Sequence, residues 1–473
     1  MKRKLLAMLT LAVMLFSTSL FTACGGGSTN SGNDVETEVY EALTFDKETP
    51  VTIKFYHTMG QNLKDVLDLY IPVFNEIYPN ITISHEQVGG YDDVKDQIKT
   101  EITQGLQPNI AYCYPDHVAM YNVAKATETL DKFINNPTAE IALTEAQIAD
   151  FIPAYYEEGR QFGDGKMYTM PLSKSTEVLY YNKTFFEANN LQVPTTWEQM
   201  EEVCRQIKAI DETCVPLGYD SEANWFITMT EQLGTPYTSN EKGEDHYQFD
   251  DPRNHAFIKE FREWYQDGLV TTQDLYGSYT SGLFVAQEGT KSYMSIGSSA
   301  GATHQRPAML ESGEYPFEVG IASIPQANAE NKKVISQGPS LCIFKKDNQQ
   351  EVIASWLFVK FLTTNVEFQA EFSMASGYVP VLKSVAQNEG YAGWLANANG
   401  GSNVAALSIK VCLEQADYYY TSPAFNGSST ARDQVGLLLR KCISDESEEA
   451  LANIDAFIAK EFASAVEECE YAE

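Results

Sequence analysis

His85-Glu86 begins like the H-E-x-x-H motif, in which two His one helical turn apart hold zinc and the Glu between them acts as base, but Gly89 stands where the second His is needed. Adjacent acids such as Asp92/Asp93 and Glu157/Glu158 are the residue types of general acid–base work. In a chain with 65 acids such neighbours mark a solvated face, because a working pair must flank its substrate at about 5–9.5 Å. There is no G-x-x-x-x-G-K-[ST] phosphate loop, no G-x-G-x-x-G between a strand and a helix, and no C-x-x-C pair. No metal and no cofactor is therefore expected. What is left is non-covalent recognition by aromatic rings, hydroxyls and carboxylates at strand ends and in loops.

The whole composition agrees. The chain has 473 residues, 33 Lys plus Arg against 65 Asp plus Glu, and a formal net charge of −32. With 44% hydrophobic and 12% aromatic residues it can fill real cores, which excludes wholesale disorder. Its length suggests two or three domains. The acid excess excludes nucleic acid as a partner and excludes docking on anionic lipid by charge. Eight Cys in so long a chain do not make a disulfide scaffold. Cys204 and Cys214 are spaced to bridge across a helix-to-loop turn in an oxidising compartment, whereas Cys113 and Cys342, in apolar strands, read as buried thiols.

Met1-Lys2-Arg3-Lys4 and the apolar run Leu5 to Leu20 read as a secretory signal, too short for a spanning helix. Thr22-Ala23-Cys24 and the Gly25-Gly26-Gly27-Ser28 run that follows resemble the lipobox of bacterial lipoproteins, with Phe21 in the place that usually holds Leu. That resemblance implies a signal peptide over residues 1–23, acylation of Cys24, and a flexible lipid-anchored tether over 24–49. A plain cleaved signal with an incidental Cys is the other reading. No later apolar run reaches 18 residues, so the expected location is the extracytoplasmic side of the cell membrane, held by the lipid anchor alone.

From Val51 the pattern alternates. Val51 to His57 has strand period, Leu63 to Ile77 helical spacing, Ile81 to Ser84 strand again, Val94 to Ile102 helix, and Asn109 to Tyr114 a third strand ended by Pro115. Strand–helix repetition of this kind predicts βαβ units with a mainly parallel sheet. Helices follow over Thr196–Ile210, Glu222–Leu233 and Pro252–Asp267, each with a start signal. Short strands return at Glu177–Tyr181, Lys291–Ile296, Phe317–Ile321 and Leu341–Phe344.

Several stretches then resemble the extracellular solute-binding proteins of ABC importers, the family that holds the maltose and glycerol-3-phosphate binders. They are Phe55–Met59, Gly89–Val94, Gly165–Met200, Glu288–Gly301, Phe317–Gln326, Ile335–Lys346 and Ala375–Val381. The most specific is Gly165–Met200, where a strand, Tyr181-Asn182-Lys183, a helix, Pro194 and Thr196-Trp197-Glu198 occur in order. The resemblance implies an α/β, two-lobe, type II periplasmic-binding-protein-like fold with a ligand cleft between the lobes. It implies lobes over 50–172 plus 338–378 and over 173–337 plus 379–473, with crossings near Met170–Leu172, Gln337–Ser340 and Tyr378. It implies a carbohydrate ligand and ABC permease membrane subunits as partner, the protein itself acting as a monomer and not as an enzyme.

A cleft that closes on a sugar needs rings for its CH faces and polar groups for its hydroxyls, drawn from both lobes. The candidates in the first lobe are Tyr56 and His57 at a strand end, Tyr91 in the Gly89-Gly90 turn, and Tyr114 and Asp116 after the third strand. Asp116 also suits a helix cap, and His57 a structural role. Those in the second lobe are Ser173, Ser175, Trp225, Ser298, Ser299 and Gly338, with Tyr378 beside the crossing strands. Trp225 is the expected stacking platform, with plain core as its other reading, and the Gly297–Gly301 run is equally a surface turn. Glycerophosphate binders of the family carry an Arg ahead of the C-terminal loop. Alignment places Ala424 there, with Arg432 further along, which favours a neutral sugar over an anion. Two alternatives share these features: an extracellular glycan-active enzyme, and a binder of a glycerophosphate-like ligand. A sensor that hands its bound ligand to a membrane receptor is a third.

Overall fold

The computed structural model describes residues 39–472. The signal peptide, Cys24 and most of the expected tether lie outside the described residues. From Tyr40 the chain is one compact unit. The part of the tether within it corrects the expectation. Phe45 is buried against Tyr78, and the backbone of residues 43 and 46 donates to Asn136 and Gln350. Leu43 and Phe45 both pack against the first core, and that apolar burial docks the segment.

Among the described residues twelve strands form two sheets. They are β1 (Val51–His57), β2 (Ile81–Gln87), β3 (Ile110–Cys113), β4 (Thr169–Pro171), β5 (Ser175–Asn182), β6 (Leu217–Tyr219), β7 (Val270–Thr272), β8 (Met294–Ser298), β9 (Val319–Ala322), β10 (Val334–Gln337), β11 (Ser340–Ile343) and β12 (Tyr419–Tyr420). The first sheet runs β2-β1-β3-β11-β4, with β1, β2 and β3 parallel and β11 antiparallel to both its neighbours. The second runs β12-β10-β5-β8-β6-β7, and β9 shares an edge of β5 with β10. In β1 the alternation places Val51, Ile53 and Phe55 in one core, while Tyr56 turns to a smaller core on the other face with Val94, Ile98 and Cys113. A separate core under the second sheet gathers Trp197, Trp225, Phe261 and Trp264.

Helices begin where the sequence marks them. Thr196 accepts from the Gln199 amide, Ser221 from Asn224, and Asp251 from Arg253, each satisfying a donor that the first turn leaves orphaned. The helices Ser428–Ser444 and Ile454–Ala472 pack on one another and on Glu222–Leu233 and Pro252–Gln266.

The chain passes between the sheets where β4 leads to β5 and again where β10 leads to β11. These two passages lie side by side, with the Leu172 amide donating to the Pro339 carbonyl at 3.1 Å. A third segment joins them through Lys174 and Val379, which exchange backbone hydrogen bonds. Gly338 has φ +105°, and a Cβ there would sit 2.5 Å from the Ser173 carbonyl oxygen, so only glycine fits where the passages touch. Among the described residues no helix is long and apolar enough to cross a membrane, and all seven described Cys, including Cys204 and Cys214, are buried thiols.

Candidate functional site

A cavity of about 80 Å³ lies between the two sheets. One wall comes from the end of β3, where Pro115 stops the strand and starts the helix Pro115–Val123, leaving Tyr114 and Asp116 at the mouth. The facing wall carries Gln337 from the end of β10 and Ser428 and Arg432 from the helix that starts at Ser428. Spacing of four puts those last two on one helix face. Thr238 Oγ1 and Ser422 Oγ, also on the wall, are buried and have no hydrogen-bond partner among the described residues. Buried hydroxyls are ordinarily paired, so these two keep unused hydrogen-bonding capacity beside the cavity.

The two sides are also tied around the cavity. Lys95, from the helix Tyr91–Ile102, donates to Asp92 at 2.7 Å and reaches Ser429 at 3.4 Å and Asp433 at 3.7 Å. Gln161 and Thr421 share side-chain hydrogen bonds of 2.6 and 2.9 Å.

Behind the wall is a buried polar network. Arg432 Nη2 donates to Asn224 Oδ1, and Gln337 Nε2 donates to the same oxygen at 2.9 Å. Asn224 Nδ2 donates to Glu177 Oε1 at 2.9 Å, and Tyr219 Oη donates to Glu177 Oε2 at 2.7 Å. Burial pushes the Glu177 carboxyl up to about 7, against the opposing pull of the Tyr219 and Asn224 donors and of the Arg432 charge. At the junction of the passages Lys174 is fully buried and ion-paired with Glu158, whose side chain also reaches the cavity wall.

The expected residues separate into three groups. Tyr114 and Asp116 line the cavity, and Gly338 follows the wall residue Gln337. Tyr91 stacks on Tyr114 with centroids 4.4 Å apart, and burial, then the neighbouring Tyr378, push its phenol above the ordinary range. Ser173 and Ser175 are buried at the passages, the Ser173 hydroxyl without a hydrogen-bond partner among the described residues. The others are engaged elsewhere. Tyr56 is buried, its hydroxyl bonded to Glu101 and Gln97 on the far face of the first sheet. Ser298 Oγ accepts from the Ala300 amide within its own turn, and Ser299 Oγ accepts from the Thr176 amide of β5, so both are engaged in holding the fold. Trp225 is 0% exposed, stacked on Tyr219 at 4.9 Å and on Phe261 at 4.0 Å, so the expected platform is core and offers no open ring face. Tyr418, Tyr419 and Tyr420, adjacent in sequence, diverge: Tyr420 reaches Thr228 in the second core, Tyr419 donates to the Cys412 carbonyl, and Tyr418 lies under Lys332.

His57 has both ring nitrogens engaged. Nδ1 accepts from the Met59 amide at 3.1 Å, so Nε2 carries the proton and donates to His85 Nδ1 at 2.9 Å, while His85 Nε2 meets Asp68 at 2.8 Å. Burial, reinforced by His85 and Lys64 and opposed by Asp68, lowers the His57 pKa to about 4. A His whose folded value lies below its unfolded value stabilises the fold fully above about pH 6.5, and that contribution is lost as pH falls from there towards 4. Acid titration should therefore remove roughly 2–3 kcal/mol of stability across this window. Denaturant midpoints between pH 7 and pH 4 test it against His57→Asn; equal slopes in the two proteins would refute the assignment.

Sequence reasoning did not single out Gln337, Asn224, Glu177, Thr238 or Ser422, and it set Arg432 aside as lying further along. The displacement of Arg432 from the aligned position does not remove an arginine from the cleft, since one helical turn returns it to the cavity beside Ser428. That four-residue spacing was the one available signal. Among the described residues no cluster of three His, Cys, Asp or Glu is arranged to hold a metal.

Comparison with known proteins agrees with this architecture. The profile of the bacterial extracellular solute-binding protein family matches residues 70–399. The sn-glycerol-3-phosphate-binding periplasmic protein UgpB of Escherichia coli strain K12 is 25% identical over 357 residues, covering 72% of this chain and 77% of that protein. UgpB from Mycobacterium tuberculosis in complex with glycerophosphocholine superposes with a TM-score of 0.70 at 16% identity, covering 89% of this chain and 98% of that one. The GacH receptor of Streptomyces glaucescens superposes with 0.69 at 15% identity, covering 89% and 99%. Maltose-bound MalE3 of T. maritima gives 0.68 at 15%, covering 88% and 99%. The fold is the mixed α/β type II periplasmic-binding-protein fold.

Proposed function

The chain belongs to the bacterial extracellular solute-binding protein family, and from that premise we propose that it is the substrate-binding component of an ABC importer, which closes two lobes on a carbohydrate and delivers it to a membrane permease. The lobes proposed are 50–172 plus 338–378 and 173–337 plus 379–473, hinged at the passages around Lys174, Gly338 and Val379. Closure follows from a ligand that touches both walls only when they approach, since such contacts favour the closed state.

The observation that carries the reading is the cavity wall itself. Two partnerless hydroxyls, Thr238 and Ser422, stand with the Asp116 carboxylate, the Gln337 amide and the Tyr114 ring, a set that suits the hydroxyls and CH faces of a polyol. With Glu158 neutralised by Lys174, one acid, Asp116, stands against one guanidinium, Arg432, on the lining, a balance that suits a neutral ligand. A second, separate hollow of about 310 Å³ lies between Phe162, Tyr168 and Phe425. The solved acarbose and maltose complexes of similar fold support this choice.

One observation favours a glycerophosphate-like ligand instead. Arg432 is on the wall, and a guanidinium matches two phosphate oxygens at once. The glycerol-3-phosphate and glycerophosphocholine binders among the relatives support that reading. Members of the family are substrate-binding proteins and not enzymes, so incubation with glycans should yield no new reducing ends. Anchoring by acylated Cys24 on the extracytoplasmic side and action as a monomer complete the proposal; the mass of the protein recovered from membranes tests the first and sedimentation the second.

Calorimetry and thermal shift with maltose, maltotriose, sn-glycerol 3-phosphate and glycerophosphocholine decide the ligand. A true ligand at a hundred times its Kd stabilises the fold by about 2.7 kcal/mol. Arg432→Ala should weaken a glycerophosphate ligand by about 10–100-fold, the loss of a charge-assisted bond, and a sugar by less than about tenfold. Failure of every saccharide and both phosphates to stabilise the protein would remove this ligand class.

A further inference from the structure

We propose that Glu177 and Asn224 form a positioning pair that holds Arg432 and Gln337 in their cavity-facing poses, so that the affinity of the site depends on a buried carboxylate that never touches the ligand. This rests on the cavity being the ligand site.

The argument starts from the asymmetry of an amide. Asn224 has one acceptor end and one donor end. Its acceptor end serves two wall donors at once, Arg432 and Gln337. The amide keeps that orientation only if its NH₂ group faces an acceptor, and Glu177 Oε1 supplies one at 2.9 Å. A flipped amide would set its NH₂ against the guanidinium, donor against cation, and both wall residues would lose their anchor. The second Glu177 oxygen takes the Tyr219 hydroxyl, so both carboxylate oxygens are occupied by donors. Backbone reinforces the placement, because Gln415 Nε2 donates to the Glu177 carbonyl at 2.9 Å. Glu177 is 1% exposed and Asn224 4%, so water does not substitute for either partner.

Protonation is the natural probe of this arrangement. The groups facing Glu177 are Arg432, Asp220, Tyr219 and Tyr420, together with the Asn224 amide. A proton on Oε1 sets a donor against the Asn224 NH₂, and a proton on Oε2, which the Tyr219 hydroxyl can accept, still removes the charge that strengthens the hold on Asn224. Burial brings that event close to neutral pH.

The test measures Kd for maltose and for glycerophosphocholine, neither of which changes charge between pH 5.5 and 8.5, in the wild type, Glu177→Gln, Asn224→Ala and the double variant. The wild type should bind about tenfold more weakly at pH 5.5 than at pH 8, the effect of one disrupted charge-assisted bond. Glu177→Gln should bind with no pH dependence over this range. Asn224→Ala should be about tenfold weaker and equally flat, and the double variant no weaker than Asn224→Ala, because both residues act through one amide. Additive losses, or a Glu177→Gln profile that follows the wild type, would overturn the proposal. Asn224→Ala alone decides the matter if Glu177→Gln does not fold, since a wild-type pH profile in it has the same meaning. If neither compound binds any of the proteins, the ligand reading fails separately. Crystal structures of the unliganded wild type and the folded variant then decide: Arg432 and Gln337 displaced supports the pair, and both unmoved overturns it.

Discussion

Replacing Lys174 with Met should lower the unfolding free energy of the unliganded protein by about 3–5 kcal/mol near pH 7–8. Lys174 is fully buried, and its ammonium group meets the Glu158 carboxylate, Ser340 Oγ at 3.1 Å and the Gly338 carbonyl at 3.3 Å. Methionine fills the space but leaves Glu158 as a buried anion without its cation. The pair itself is a different matter, because the attraction between buried charges only offsets their lost hydration. The double replacement Lys174→Met with Glu158→Leu should therefore be much less destabilised than the single one. Denaturant unfolding of the three proteins checks this, and a single variant within 1 kcal/mol of wild type would refute it. The location gives the pair a second consequence. It sits where three segments run between the sheets, so the single variant should also alter the fraction of closed molecules, read as a change in radius of gyration on ligand addition.

Trp225→Ala should cost about 3–5 kcal/mol of stability, the range for deleting a large buried ring, and change ligand affinity less than about tenfold in the molecules that stay folded. The ring lies between Tyr219 and Phe261 in the second core, with Trp197 6.2 Å away. Its indole nitrogen has no partner among the described residues, so the loss is one of packing and not of a hydrogen bond. A melting temperature that stays put while binding collapses would return Trp225 to the role that its place after a Gly-containing loop suggested. A helix start beside a loop looks alike in sequence whether its first aromatic residue turns outward or inward. Asn224, the residue before it, turns toward the cavity network, and Trp225 turns away by one step of the helix.

The sequence by itself determined the local elements and their order. Alternating apolar residues define β1, the Pro115 stop defines the end of β3, and Thr196, Ser221 and Asp251 start their helices, all through short-range physics of period, ring closure and capping. Its strand-end reasoning also pointed to Tyr114 and Asp116, which line the cavity, because a residue just past a strand end faces a loop-lined edge whatever the rest of the chain does. Only the tertiary structure decided which distant side chains meet. Glu177, Asn224, Gln337 and Arg432 come from four different elements and have no shared spacing, and a network held by hydrogen bonds across those separations leaves no periodic trace. The same holds for polarity turned inward. Lys174 and Glu158 are residue types of the surface, and only the ion pair between them makes their burial possible.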